Sequence, residues 1–390
     1  MSAHRRIRLL VALAVLTVAL AACSGNTEDG AAGPQSANEE NQNTNEASRP
    51  NESNQTPTDS SGDGRHKFLN TTCTGNSDGN FTSKITDTET TYAIFAPGGA
   101  AGYEIKPHGY FLIKGERAAV YAPVDMHLAQ GSYYKEPENF WADNTYILHF
   151  AVGCDFAMFI DHITDPVDKI KAVMNTQPKE DTRMDSFFEN PVEFKAGELI
   201  GYTIGAGPKE ANRSWDFGYY SAAVTNEYVN QERRIRSYAW KQLHAVCGFD
   251  YFPEPIKGEY FKLFTTRTGT PVPGAGCRSP NRDVAGTLSG SWFFQPDSMS
   301  VEPHVAIAGD IDDASLSIAG LKSKQYLSIG PENPTYKDPA TVTDRHCYTD
   351  DADTTSYFFF VIIDEMTLDL YEGVGGCPSE PKGTKLTLYR

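Results

Sequence analysis

Short apolar runs rich in Tyr, Phe and β-branched residues recur along most of the chain, and Gly or Pro separates them. Examples are residues 91–95, 110–113, 118–121, 146–152 and 157–160. The chain has 33 Gly and 23 Pro beside 20 Tyr and 21 Phe, and turns that alternate with aromatic-rich segments are typical of antiparallel sheets. The pattern excludes a helical bundle and predicts a mainly β protein.

The length and charge of the chain set further limits. At 390 residues it is longer than one ordinary domain, which predicts two folded units. It has 34 Lys and Arg against 51 Asp and Glu, a net charge of -17. We expect no nucleic-acid partner, because neutralising phosphates requires clustered Lys and Arg.

The first 23 residues have the pattern of an export signal. Arg5 and Arg6 precede an apolar run over residues 9–22 that only Thr17 interrupts. The run is too short for a transmembrane helix and ends in small residues, as signal peptides do. Its end, Leu-Ala-Ala-Cys, resembles the lipobox of bacterial lipoproteins, with Cys23 as the lipidation site. We expect residues 1–22 to be the signal peptide. We expect the lipid to hold the protein at the bacterial cell membrane or outer membrane, facing the periplasm or the exterior.

A polar segment follows the lipidation site. Residues 24–64 contain no Leu, Ile, Val, Phe, Tyr or Trp, and eight acidic residues accompany one basic residue, Arg49. Such a segment buries too little apolar surface to fold. We therefore predict that residues 23–66 are the lipid-attachment Cys and a disordered linker. Residues 67–225 and 226–390 are the two predicted folded regions.

The remaining cysteines indicate the compartment. An even number of cysteines in an exported chain predicts disulfides, and the absence of a C-x-x-C pair argues against a zinc ribbon. We expect a bridge within the first region and two among the last four cysteines; some buried free thiols are the alternative. The six cysteines after Cys23 are Cys73, Cys154, Cys247, Cys277, Cys347 and Cys377.

Two helices are predicted. The first covers residues 165–174, with Asp165 as N-cap and Pro166 in the first turn. The second is one amphipathic helix between residues 226 and 247, which joins the two folded regions. Its basic stretch, residues 231–236, is expected to be a solvated face. Its apolar residues at helical spacing are Ile235, Ala239, Leu243 and Val246.

The second region has several alternating segments such as Lys-Leu-Thr-Leu-Tyr near its end, which suit half-buried antiparallel strands. They predict a small β-barrel or β-sandwich. Asp310, Asp312 and Asp313 lie close together in this region. We expect an acidic turn there, because the glycine and the distal Glu of an EF-hand calcium loop are missing.

Four segments of the first region follow one another in the order RAAVYAPVDMHL at 117–128, YILHFAVGCDFAMFIDHI at 146–163, FKAGELIGYTIGAG at 194–207 and SWDFGYY at 214–220. In this order they resemble the conserved segments of lysostaphin-like (LytM-type) zinc peptidases. The resemblance implies an antiparallel β-sandwich of the duplicated-hybrid-motif type for residues 67–225.

The resemblance also implies a zinc site, which this chain retains only in part. The family holds zinc with a His and an Asp four residues apart and with the last His of an H-x-H motif, leaving one position for water. His108 stands at the first position, but Leu112 stands where the Asp belongs. Ser214 and Asp216 replace the two histidines of the H-x-H motif, and His162 matches a catalytic histidine. The candidate remnants are therefore His108 and Asp216 for metal, and His162 and Ser214 for catalysis.

These departures favour an envelope lipoprotein whose peptidase-like domain is inactive and binds peptidoglycan or a protein partner. We expect no cofactor; zinc is the one metal that the resemblance leaves open. Two alternatives remain. One is a zinc metalloendopeptidase acting on peptidoglycan with altered ligands. The other is small-molecule binding by the C-terminal barrel. His162 either hydrogen-bonds across the sheet or acts in a groove.

The lipobox generates a first prediction. Cys23→Ser removes the thiol that accepts the lipid, so the variant should remain unprocessed or be released in unlipidated form. Detergent-phase partitioning checks this, because two or more acyl chains hold a protein durably in a bilayer. A variant that enters the detergent phase as the wild type does would contradict the lipoprotein assignment.

Overall fold

The computed structural model describes residues 64–73, 77–180, 186–209, 212–267, 269–311 and 314–390. The predicted signal peptide, Cys23 and residues 24–63 lie outside the described residues. Three residues of the predicted linker, 64–66, lie inside them. Arg65 forms a β-bridge with Thr72, and His66 is buried. Packed structure therefore begins before residue 67.

Antiparallel strands dominate the described structure, which confirms the predicted mainly β class. The strands up to residue 221 are β1 (Thr91–Phe95), β2 (Ala100–Ala101), β3 (Glu104–Ile105), β4 (Gly109–Ile113), β5 (Ala118–Tyr121), β6 (Met126–Lys135), β7 (Asn144–Val152), β8 (Phe156–Ile163), β9 (Asp165–Pro166), β10 (Ser186–Phe194), β11 (Leu199–Thr203) and β12 (Ser214–Ser221). The later strands are β13 (Ala245–Val246), β14 (Gly290–Phe293), β15 (His304–Gly309), β16 (Leu316–Ala319), β17 (Tyr326–Ile329), β18 (Arg345–Thr349), β19 (Ser356–Asp364), β20 (Thr367–Val374) and β21 (Thr384–Tyr389). The helices are α1 (Asp168–Lys171), α2 (Gln231–Arg236), α3 (Trp240–His244) and α4 (Ile256–Phe261).

The first unit contains two sheets around one core. The larger sheet has the order β1-β4-β12-β8-β7-β6-β10, and β13 pairs with β12. The smaller sheet has the order β5-β11-β9 and contributes Val120 and Ile200 to the same core as Phe111 and Phe217 of the larger sheet. Burying each such side chain contributes about 1.5–3 kcal/mol, so this shared core holds the two sheets together.

Strand β12 shows how the pleat separates core from polar residues. Trp215, Phe217 and Tyr219 belong to the core between the two sheets. Because successive side chains of a strand point to opposite faces, Ser214 and Asp216 belong to the other face. The larger sheet therefore has an apolar inner face and an outer face on which charged residues are placed.

The core of the first unit continues past residue 226. Phe249, Tyr260 and Phe264 are part of it, and Cys247 is buried in it. The Tyr260 hydroxyl donates to the Thr86 carbonyl over 2.7 Å, which fixes this later segment to the start of the unit. A stretch of the second predicted region therefore packs on the first sheet.

The last eight strands, β14 to β21, form a nearly closed barrel. Their order is β17-β16-β15-β14-β21-β20-β19-β18. The Asp351 amide donates to the Ser328 carbonyl over 3.2 Å, and the Ser328 amide donates to Asp350 Oδ1 over 3.1 Å, across the remaining gap. Sixteen buried apolar side chains, including Trp292 and Phe358, fill the interior. An eight-stranded barrel is just wide enough to be filled in this way. The described barrel interior is thus a packed core, which gives no support to a ligand-binding lumen.

Neither predicted helix has the expected form. Asp165 and Pro166 pair as β9 with Tyr202 and Gly201 of β11, so only α1 forms, three residues later. Strand pairing here overrides the capping pattern.

The single joining helix is replaced by α2 and α3. The chain turns between them at Tyr238, whose φ is 50°. Asn226 Nδ2 donates to the carbonyls of Gln242 and Ala245, which folds the segment back onto itself. The end of the segment pairs with β12 as β13, so no continuous helix forms.

The basic stretch of α2 is not a solvated face, as the sequence had led us to expect. Arg233 is 2% exposed and Arg234 is 4% exposed. Arg233 donates to the carbonyls of Ser298, Pro296 and Arg390 in the barrel unit. Arg233 therefore joins α2 to the barrel unit through hydrogen bonds that no periodicity in the sequence indicates.

Two further expectations concern local features. Asp310 accepts hydrogen bonds from the Arg267 and Ile311 amides, as expected of a turn, while Asp312 and Asp313 lie outside the described residues. Across the described ranges, no helix combines the length and the apolar character needed to cross a membrane.

Three cysteine pairs lie at disulfide distance, as the sequence predicts. Their Cα–Cα separations are 4.7 Å for Cys73–Cys154, 5.9 Å for Cys247–Cys277 and 5.8 Å for Cys347–Cys377. The bridge within the first region and the two bridges among the last four cysteines are both confirmed, and the alternative of free thiols is wrong for these six residues.

This pairing generates the second prediction. Replacing Cys347 and Cys377 together by Ser should lower the free energy of unfolding by about 2–4 kcal/mol, because the unfolded chain regains the freedom of a closed loop. Denaturant unfolding of wild type and variant measures the difference. Peptide mapping without reductant should recover the three pairs, and alkylation of any of the six thiols would contradict the pairing.

Candidate functional site

The candidate site lies on the outer face of the larger sheet, where three adjacent strands carry polar residues. Asp216 of β12 is paired in register with Tyr110 of β4 on one side and with Asp161 of β8 on the other. His108 precedes the first residue of β4. The order of these strands thus places residues that are far apart in the sequence next to one another.

A β-bulge positions two of the site residues. Tyr146 of β7 pairs with Ile163 of β8, but Leu148 pairs with Ile160, so Asp161 and His162 together oppose a single residue. A bulge of this kind redirects a side chain. His162 takes the left-handed conformation with φ of 70°, which costs about 1–3 kcal/mol for a residue other than glycine. His162 thereby joins Asp161 on the polar face instead of facing the core.

Two histidines bracket the Asp216 carboxylate. His108 Nε2 lies 3.0 Å from Asp216 Oδ2, and His162 Nε2 lies 3.8 Å from Asp216 Oδ1. The second ring nitrogen of His162, Nδ1, donates to Glu136 Oε1 over 2.7 Å. The His108, Asp216 and His162 side chains are only 10%, 6% and 10% exposed, so these ion pairs are formed away from bulk water.

A further set of hydroxyl groups supports the carboxylates. The Tyr134 hydroxyl lies 2.9 Å from Glu136 Oε1 and 2.8 Å from Asp161 Oδ1. The Thr145 hydroxyl donates to Glu136 Oε1 over 2.6 Å, and the His162 amide donates to Asp161 Oδ1 over 2.7 Å. We call His108, Glu136, Asp161, His162 and Asp216 the His–carboxylate cluster.

The charges in the cluster shift its titration. Burial alone would lower the pKa of His162, but the negative charges of Asp161, Glu136 and Asp216 raise that pKa to about 9. Burial alone would raise the pKa of Asp216, but His108 and His162 hold it well below its usual range. At neutral pH His162 is therefore a cation and Asp216 an anion.

A second ion pair lies just before His108 in the chain. Lys106 Nζ lies 2.7 Å from Glu104 Oε1. Burial opposes ionisation of Glu104, but Lys106 lowers the pKa of Glu104 to about 2. The charge of Lys106 also acts on Asp216. The buried cluster thus adjoins a half-buried ion pair.

The structure brings together three of the four candidate remnants: His108, His162 and Asp216. Ser214 is the first residue of β12, two residues before Asp216. It lies opposite Leu112 of β4, and its backbone also pairs with Ala206. Asp216 occupies the outer face, where the resemblance implied a ligand histidine. Leu112 is apolar, so the complete three-ligand set that the resemblance implied is not present.

Sequence reasoning missed Glu136, Asp161 and Tyr134. Asp161 adjoins His162 in the sequence. No feature of the sequence predicts the bulge that turns both residues to one face. Tyr134 lies near the end of β6 and Glu136 directly follows the strand, two residues later, a spacing that favours the same face in extended chain. That spacing was the available signal, although nothing in the sequence links it to His162.

No protein-family model, curated protein or solved structure matches this chain. The resemblance to lysostaphin-like peptidases therefore stays an expectation from the sequence.

The pKa of His162 generates the third prediction. Between pH 6.5 and about 9, His162 keeps its proton in the folded protein, whereas the same histidine in the unfolded chain has lost it. This contribution to stability is complete below pH 6.5 and is lost as the pH rises through 9, with a size of about 3 kcal/mol at most.

His162→Gln should remove this loss of unfolding free energy at alkaline pH. Urea unfolding in the presence of a chelator, at both ends of this pH range, measures the free energy of unfolding. The control is His346→Gln, which alters a histidine of the barrel whose pKa is lowered by burial. Equal alkaline slopes in wild type and His162→Gln would show that the cluster does not hold the proton.

Proposed function

We propose that this protein is a lipid-anchored protein of the bacterial cell envelope whose first unit binds peptidoglycan without hydrolysing it. The observation that carries the second half of this proposal is the position of His162, whose ring lies between the buried carboxylates of Glu136 and Asp216.

The compartment rests on two independent features. The sequence at Cys23 has the form of a lipobox after a short apolar run. The six remaining cysteines form three pairs, and such bridges form and persist in oxidising environments outside the cytosol. Both features favour an exported chain.

The chemistry of the cluster argues against hydrolysis. A zinc peptidase needs an ion with an open position for water and an imidazole that exchanges protons near neutral pH. Here Leu112 replaces one expected ligand, and Ser214 replaces an expected histidine with a hydroxyl of high pKa. His162 is held as a cation between Glu136 and Asp216, so it is a poor base. The losses in acid–base catalysis alone amount to about 10²–10⁴-fold.

A surface for a ligand lies at the same end of the sheet. Trp141 stands in the connection between β6 and β7, which begins at Glu136, and its side chain is 42% exposed. The Trp141 amide donates to the Gly207 carbonyl over 3.0 Å, and the Arg213 guanidinium lies 5.4 Å from the indole ring centre. An exposed indole beside a cation suits stacking on a sugar ring and pairing with a carboxylate, which are both parts of peptidoglycan.

The fourth prediction tests this surface. Trp141→Ala should weaken co-sedimentation of the purified protein with insoluble peptidoglycan by about tenfold, because large aromatic side chains dominate binding energy. The matched control is Tyr92→Ala, which removes an equally exposed aromatic, also at 42%, from the edge strand β1. If wild type does not sediment, or if both variants weaken sedimentation equally, the proposed binding surface is wrong.

The same preparation separates binding from hydrolysis. We expect no release of soluble muropeptides, with or without added zinc. Zinc-dependent release that His162→Ala abolishes would instead support the metalloendopeptidase, which the proximity of His108, His162 and Asp216 keeps as the second candidate.

A further inference from the structure

We propose that Asp161, His162 and Asp216 form a binding site for one divalent first-row transition-metal ion, with His108 outside the set of ligands. This inference does not depend on peptidoglycan binding. It also differs from the arrangement that the family resemblance implies, in which His108 is a ligand and the residue at the position of Asp161 is not.

The donor atoms have nearly the spacing that one ion requires. One ligand atom from each of the three residues lies within 4.8 Å of the other two, and His162 Nε2 lies 3.8 Å from Asp216 Oδ1. Two ligands that each lie about 2.0–2.2 Å from an ion are at most about 4.4 Å apart. Side-chain shifts of a few tenths of an ångström therefore bring all three donors into bonding range.

The three proposed ligands each have an outer partner. A metal-bound histidine almost always donates its other ring N–H to a carboxylate or carbonyl, which orients the ring. His162 has that partner in Glu136, at 2.7 Å from Nδ1, so Nε2 is the atom left for the ion. The Tyr134 hydroxyl lies 2.8 Å from Asp161 Oδ1, and His108 Nε2 lies 3.0 Å from Asp216 Oδ2.

Asp216 supplies an independent indication of a ligand at this position. The residue is 4% exposed, and its Oδ1 accepts no hydrogen bond within the described ranges. Buried polar atoms nearly always have a hydrogen-bond partner, so a buried carboxylate oxygen that accepts none points to a bound ligand. This oxygen faces His162 Nε2 across 3.8 Å, which is the gap that an ion bound to both atoms would occupy.

The donor types select the class of metal. One imidazole nitrogen and carboxylate oxygens suit Mn²⁺, Fe²⁺, Co²⁺ and Zn²⁺, whereas sites for Mg²⁺ or Ca²⁺ use oxygen almost alone. The bulge supports the assignment, since it turns two adjacent residues of one strand, Asp161 and His162, to the same face. A regular strand would have placed their side chains on opposite faces.

The test uses the full chain, purified in detergent with an affinity tag that contains no histidine. The protein is stripped with a chelator, dialysed, and titrated separately with Zn²⁺, Mn²⁺ and Co²⁺. Calorimetry gives the affinity and stoichiometry, and the visible absorption of Co²⁺ reports nitrogen and oxygen ligation. We expect one ion per chain for at least one of the three metals. An unchanged titration baseline with all three ions would overturn the proposal.

Three variants identify the ligands. Asp161→Asn keeps the shape of the side chain and should lower bound metal from one ion per chain to below about one tenth, as should His162→Ala. Glu136→Gln should leave the stoichiometry at one and raise the Kd about 10–100-fold, the usual effect of removing an outer partner. The control is His149→Gln, a buried histidine of the neighbouring strand β7, which should bind metal as the wild type does.

His108→Gln separates the two possible ion positions. If His108 only supports Asp216, this variant keeps one ion per chain with a higher Kd. If metal binding is lost in His108→Gln and retained in Asp161→Asn, the ion occupies the position implied by the family and the proposal is wrong. Near-UV circular dichroism of each metal-free variant shows whether it is folded, and a variant that fails to fold is left out of the comparison. Asp161→Asn, which retains the Oδ1 acceptor, keeps the test decisive if His162→Ala does not fold.

Discussion

The bulge in β8 is the constraint on which the candidate site depends. In a regular strand, Asp161 and His162 would point to opposite faces of the sheet, and one of them would enter the apolar core. The extra residue opposite β7 and the left-handed backbone at His162 turn both side chains outward. The hydroxyl of Thr203, which donates to the His162 carbonyl, holds that conformation on the side of the smaller sheet.

Burial makes each charged group of the cluster depend on its partners. Ion pairs in the interior gain attraction because water is excluded, but each charge also loses its hydration. The cluster balances these effects by giving each charged group an opposite charge or a hydroxyl, as Tyr134 and Thr145 do for Glu136. Removing one member leaves its partner buried and uncompensated, which is more costly than removing an exposed ion pair.

The cluster also lies close to the junction between the two units. The hairpin of β2 and β3 shares a small apolar core with Ala306, Ala308 and Ala319 of the barrel. Lys106 and His108 follow this hairpin directly in the chain. The buried Arg233, which donates to barrel carbonyls, is a second link between the units. A short stretch of backbone thus connects the hairpin that packs on the barrel to His108.

The sequence by itself determined the mainly β class and the three disulfides, one within the first region and two among the last four cysteines. These followed from local patterns: alternation, turn residues and the even number of cysteines. The tertiary structure alone decided the strand pairing of Asp165 and Pro166 and the break at Tyr238. It also decided the burial of Arg233 and the roles of Glu136 and Asp161. In each of these cases the partner is distant in sequence, and pairing across the sheet or between units outweighs the local preference of the chain.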